Sequence, residues 1–171
     1  MRGPADLLLR NPTMMKKYMA LVLCISSSLG YAYVPRNLCP YLLNVIIQND
    51  TGTDCHLIQQ TINQGNTRST ELPLTVLAMQ KSPAYTFETE VGTPLPGFSE
   101  DIDVTLTYQC GDDKVVTFDS KKTVVKGFLY HAYSITGLVT SISNIDADYT
   151  ATKGNCSGYP PNVDSITWML R

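Results

Sequence analysis

Asp101-Ile-Asp-Val-Thr-Leu-Thr-Tyr-Gln-Cys110 alternates without a break between apolar and polar side chains. In an extended chain, successive side chains point to opposite faces. Ile102, Val104, Leu106, Tyr108 and Cys110 therefore share one face, and Asp101, Asp103, Thr105, Thr107 and Gln109 share the other. One dry face and one wet face is the pattern of a strand in an antiparallel sheet. We read this stretch as the inner strand around which the others pair.

Toward the C-terminus, Gly111-Asp112-Asp113 marks a turn and Lys114 to Asp119 a returning strand. Lys121-Lys122 reads as the tip of a hairpin. Phe128 to Ile135 is a further strand between Gly127 and Gly137. Leu138 to Ala151 is long for one strand, and its phase breaks near Ser143, which predicts a bulge or bend. A loop over Gly154 to Asn162 contains Pro160-Pro161, and Ile166, Trp168 and Leu170 alternate as a closing strand.

Toward the N-terminus, Gly92 to Gly97 is a Pro/Gly-rich loop, and Tyr85, Phe87, Thr89 and Val91 alternate as a strand. Leu72 to Met79 is read as a strand, although Leu74, Leu77 and Ala78 also fit a short helical turn. Leu42 to Gln48 and Cys55 to Ile62 read as a hairpin about Asn49-Asp50-Thr51-Gly52. The spacing predicts an all-β fold of about eight or nine strands: an antiparallel β-sandwich, with a small β-barrel as the alternative.

The chain has 171 residues, 43% of them hydrophobic and 16% charged, enough for one domain with a real core. Residues 1–32 are read as an N-terminal extension and cleavable signal helix, and residues 33–171 as a single β-sandwich domain. Lys16-Lys17 supplies a basic flank, Met19 to Ile25 a short apolar run, and Gly30-Tyr31-Ala32 a small-x-small end suited to cleavage. Asp6 and Pro12 precede anything a signal needs, so initiation is expected at Met14 or Met15, with Met1 as the alternative. Leu23 before Cys24 is not the small residue that lipid attachment prefers. The expected compartment is periplasmic or extracellular, and no stretch approaches the ~20 apolar residues of a spanning helix.

Loss of Arg2, Arg10, Lys16, Lys17 and Asp6 leaves 9 of 13 basic and 14 of 15 acidic residues, a net charge of −5. That balance excludes nucleic-acid binding by charge. Four cysteines would remain, and an even number in an exported chain implies disulfides. Three pairings are possible. The preferred one joins Cys55 to Cys110, both at strand ends, and Cys39 to Cys156. A Cys55–Cys110 bridge is worth about 4 kcal/mol in the chain-entropy account. With no Cys-x-x-Cys pair, and no ligand spacing at His56 or His131, zinc is not expected.

Catalytic motifs are missing: no nucleophile elbow, metalloprotease helix, phosphate loop or dinucleotide fingerprint occurs. No catalytic residue and no cofactor is expected. Tyr130, His131 and Tyr133 form a candidate ligand-binding rim. Asp101 and Asp103 share a wet face, with Glu100 adjacent, and are candidate Ca²⁺ ligands, though calcium wants six to eight oxygens. Asp112-Asp113 and Asp146-x-Asp148 are further acidic pairs. Tyr149, Tyr159 and Trp168 add aromatic surface suited to sugar, protein or membrane contacts. Asn49-Asp50-Thr51 and Asn155-Cys156-Ser157 match the glycosylation sequon.

The Asn-x-Thr-Gly close of the first strand, followed by Gly-punctuated strands, resembles in rhythm the small secreted lipid-binding β-sandwiches of the aegerolysin type. No diagnostic motif accompanies the rhythm, a single tryptophan is present, and no family is assigned. The expected function is a secreted binding module whose partner is a protein, glycan or lipid. A membrane-active, pore-forming or lipid-binding toxin-like module is the first alternative, and an extracellular hydrolase the second.

Overall fold

The computed structural model describes residues 38–68, 74–90, 99–126 and 131–171. Among the described residues a 3-10 turn, Cys39–Tyr41, leads into eleven strands: β1 (Leu42–Asn49), β2 (Cys55–Gln64), β3 (Asn66–Thr67), β4 (Thr75–Val76), β5 (Gln80–Lys81), β6 (Tyr85–Glu88), β7 (Ser99–Cys110), β8 (Lys114–Lys126), β9 (His131–Ser143), β10 (Ala147–Thr152) and β11 (Asp164–Leu170). They form two open sheets, not a barrel. Sheet A runs β10-β11-β1-β6-β3, with β5 also paired to β1, and sheet B runs β4-β2-β7-β8-β9. Among the described residues the pairings are antiparallel except for β1 with β11, which run parallel from Leu43↔Asp164 to Asn49↔Leu170.

β7 is the middle strand of sheet B, and the alternation read from its sequence is what buries it: Ile102, Val104, Leu106 and Tyr108 are inaccessible to solvent. They meet Val45, Ile47, Phe87, Ile166 and Trp168 from sheet A in one core. At its centre Trp168 lies 4.3 Å from Phe118, ring to ring, and donates Nε1–H to Ser120 Oγ at 2.8 Å. Cys39–Cys156 and Cys55–Cys110 are the two disulfides. The first ties the loop before β11 to the turn before β1. The second joins directly opposed positions of β2 and β7.

Three strand readings change. β1 and β2 are not a hairpin: β1 lies in sheet A and β2 in sheet B, and residues 50–54 carry the chain across. Asn49 is buried there, and its side chain organises that crossing instead of a two-strand turn. Lys121-Lys122 is not a turn either, because β8 runs on to Lys126 with Lys121 opposite Asp103 and Lys122 opposite Ile102. The strand read as ending at Gly137 runs through it to Ser143 as β9, and the bend expected near Ser143 in the run 138–151 is found at Asn144, which takes a left-handed φ of 53°. The bulge in β9 lies where Phe118 and Thr117 face Val139 and Ser141, leaving Thr140 unopposed.

Candidate functional site

Between β4 and β5 the chain leaves sheet B for sheet A through Leu77-Ala78-Met79, and this corner is fixed by side chains from elsewhere. The Asn49 amide, at the end of β1, donates to Val76 O at 3.0 Å, Leu77 O at 3.1 Å and Thr53 O at 2.8 Å. Its Oδ1 accepts from Thr51 N at 3.0 Å and Thr51 Oγ1 at 2.7 Å. Asp54 Oδ1 accepts from Ala78 N at 2.8 Å, and Gln80 N donates to Leu77 O at 3.2 Å. Met79 holds a left-handed φ of 59°, a conformation that side-chain-bearing residues rarely adopt and that the surrounding bonds must enforce.

The side chains on this pinned backbone are apolar and turned to solvent. Leu74 is 70% exposed, Leu77 48% and Met79 70%, and Leu74-Thr-Val-Leu-Ala-Met79 contains no charge. Val76 alone of the four large side chains enters the core. Ile58, on neighbouring β2, is also exposed. Scattered apolar side chains on a surface need no explanation, but three within six residues of one fixed corner form a feature.

The sequence-derived rim lies elsewhere. Tyr130 falls outside the described residues, as does the side chain of His131, whose backbone opens β9 opposite Lys126. Tyr133 is half-buried, with Lys122 Nζ and Lys153 Nζ each 5.2 Å from its ring centroid. Lys122 is wholly buried: its ammonium reaches Asp164 Oδ2 and Leu42 O, each at 2.7 Å. Asp164 Oδ1 also accepts from Gly154 N at 2.6 Å. Burial pulls the Lys122 ammonium below the ordinary lysine value, against the opposing pull of Asp164. Burial, and then Asp164, raise the Tyr133 phenol. Lys122 and Asp164 are buried with their hydrogen-bond partners in place and act as a brace between the sheets, while Tyr133 is half-buried beside the exposed Lys153. The brace adjoins Leu42, at the far end of β1 from Asn49, about 23 Å from the corner at ~3.3 Å per strand residue.

Asp101 and Asp103 do share a face, but they face Lys121, whose Nζ lies 2.9 Å from Asp101 Oδ2 and 3.8 Å from Asp103 Oδ2. Asn63 Nδ2 donates to Asp103 Oδ1 at 3.0 Å. Among the described residues no three His, Cys, Asp or Glu side chains gather as a metal would require. His56 is exposed, with Nδ1 3.0 Å from Thr75 Oγ1. Tyr149 packs on Trp168 at 5.2 Å between centroids and belongs to the core wall, whereas Tyr159 is exposed on its loop. A shallow depression of about 330 Å³, lined by Ile142, Asn144, Ile145, Asp146 and Arg171, brings together no nucleophile and base.

Sequence reading missed the corner because it took 72–79 as a strand, or else a short helical turn, whereas only Thr75–Val76 pair as a strand. The usable signal was the run Leu74 to Met79, which alternates too poorly for a strand and is too short for a helix. Its leucines and methionine therefore have no assured place in a core.

No family model matches the chain, and no curated protein matches it. Among solved structures it is similar to the lipid binding protein Nakanori, with a TM-score of 0.46 and 8% identity over 76% of this chain and 70% of that one.

Proposed function

We propose that this domain is a non-catalytic binding module that docks on a lipid–water interface through the corner bearing Leu74, Leu77 and Met79. The observation that carries the reading is the contrast at that corner: backbone fixed by Asn49 and Asp54, apolar side chains left in water. Fixing the backbone beforehand removes ordering cost from binding. Protein–protein hot spots favour Trp, Tyr and Arg, and residues 74–79 include none of them, only aliphatic and thioether surface.

Magnitude limits the mode. Full burial of a Leu or Met side chain is worth ≈ 1.5–3 kcal/mol, so these partly exposed residues together supply about 3–5 kcal/mol. That is the scale of marginal, reversible attachment, comparable to or below a single acyl chain. The module therefore touches membranes and leaves again, unless several copies or a headgroup contact add affinity. A net charge of −5 after loss of residues 1–32 favours uncharged over anionic lipid. Two disulfides support maturation outside the reducing cytoplasm, in keeping with an exported protein.

The test is cosedimentation with phosphatidylcholine vesicles, comparing the protein with L74S/L77S/M79S. Measurable partitioning that falls by roughly a hundredfold in the variant is expected. Equal partitioning of the two proteins, or none by either, overturns the reading.

A further inference from the structure

Among the described residues four strands end the two sheets, and three of them are blunted. β3 and β4 have two residues each. β10 has six, carries Asp148 and is flanked by Asp146 and Lys153. Short length and charge are the usual devices that keep an unpaired edge from recruiting another strand. β9 has neither. It is 13 residues long, and from Ala132 to Ser143 it contains no Lys, Arg, Asp, Glu or Pro. It pairs with β8 on one side, and among the described residues no strand pairs with the other.

From this contrast we infer that β9 is a self-association edge, on which β9 of a second copy of this chain adds antiparallel across residues 132–139. The segment is regular up to the Thr140 bulge, where Thr140 Oγ1 turns back to Thr117 O at 3.2 Å and interrupts the ladder. A two-fold pairing sets the same segment against itself, so any charge there would meet its like. This segment has none. Its solvent face presents Ala132, Ser134, Thr136 and Leu138, small or hydroxyl-bearing apart from Leu138, which is 61% exposed. Small and hydroxyl groups pair well across strands. The union joins two five-stranded sheets into one of ten strands, with the inner faces left packed as they are.

The test uses the full chain without lipid. Sedimentation equilibrium should give a dimer, and amides within 132–139 should exchange more slowly as concentration rises. S134K/L138K places lysines on the exposed face, where the fold tolerates them, and should weaken the dimer at least tenfold with an unchanged melting temperature. T123K, one strand further in, should leave it intact. A monomer at every attainable concentration overturns the proposal. So does a dimer indifferent to S134K/L138K, or one whose 132–139 amides gain no protection. L74S/L77S/M79S should dimerise normally, so failure of this inference is separable from failure of the lipid reading.

Discussion

Lys122 of β8 and Asp164 of β11 meet at 2.7 Å in a space closed to water, one from each sheet. The pair is satisfied on its other sides by Leu42 O and Gly154 N. Removing one member leaves a buried charge without its partner, a loss of about 3–5 kcal/mol, whereas replacing both with neutral groups can be close to neutral. Lys122→Met should therefore be strongly destabilising in urea unfolding. Adding Asp164→Asn, which keeps an acceptor for Gly154, should restore most of the loss. Additive effects of the two changes would contradict the coupling.

Tyr85 and Tyr108 are buried in the core, and desolvation pushes both phenols well above their usual value of 10. Above pH 10 the unfolded chain releases these protons and the folded chain does not. The stability they contribute is thus intact below pH 10 and is lost as pH rises further. Lys122, whose folded value is lowered, acts in the opposite sense up to its ordinary 10.5, but one lysine opposes two tyrosines. Urea midpoints should fall above pH 10, with tyrosinate absorbance from these residues appearing together with unfolding. Tyrosinate from every tyrosine in the still-folded protein would refute this.

Asn49 cannot serve as a glycan acceptor in the folded chain, because its buried amide is committed to three carbonyls. Asn155 is exposed, its Oδ1 accepting from Ser157 N and Gly158 N, each at 3.1 Å. Expression through a glycosylating secretory pathway should leave Asn49 bare in folded protein and confine any glycan to Asn155, as peptide mass mapping would show. Asn49→Ala should cost about 2–4 kcal/mol, since it orphans several polar groups at once.

Gly137 faces the core wall on β9. A Cβ there would come within 2.8 Å of both Trp168 Cζ2 and Tyr149 Cδ1. Gly137→Ala should lower thermal stability by about 1–3 kcal/mol, the usual cost of overpacking. An unchanged melting temperature would mean that the rings yield freely.

Legibility in the sequence followed the range of the interactions. β7, β6 and β11 could be read because their partners are apolar, and alternation alone declares which face is buried. Asp119-Ser-Lys-Lys-Thr123 could not. Ser120 and Lys122 point inward, as Phe118 and Val124 do, but their burial depends on Trp168 and Asp164. Those partners stand more than 40 positions further along and on the opposite sheet, so no local pattern announces them. The corner at Leu77 was opaque for a related reason: Asn49 and Asp54, which fix it, look like ordinary turn residues. Cysteine placement at strand ends carried more, since a covalent link needs only proximity.

The parallel pairing of β1 with β11 has a consequence for synthesis. Leu43 waits for Asp164, about 120 residues later (164 − 43), and at roughly 5–20 residues per second that is a delay on the order of ten seconds. Until then the hydrophobic strand that centres sheet A has one bare flank, so the domain cannot be assembled piecemeal as it emerges. Deleting β11 would therefore undo β1, at the other end of the domain, as surely as it removed β11 itself.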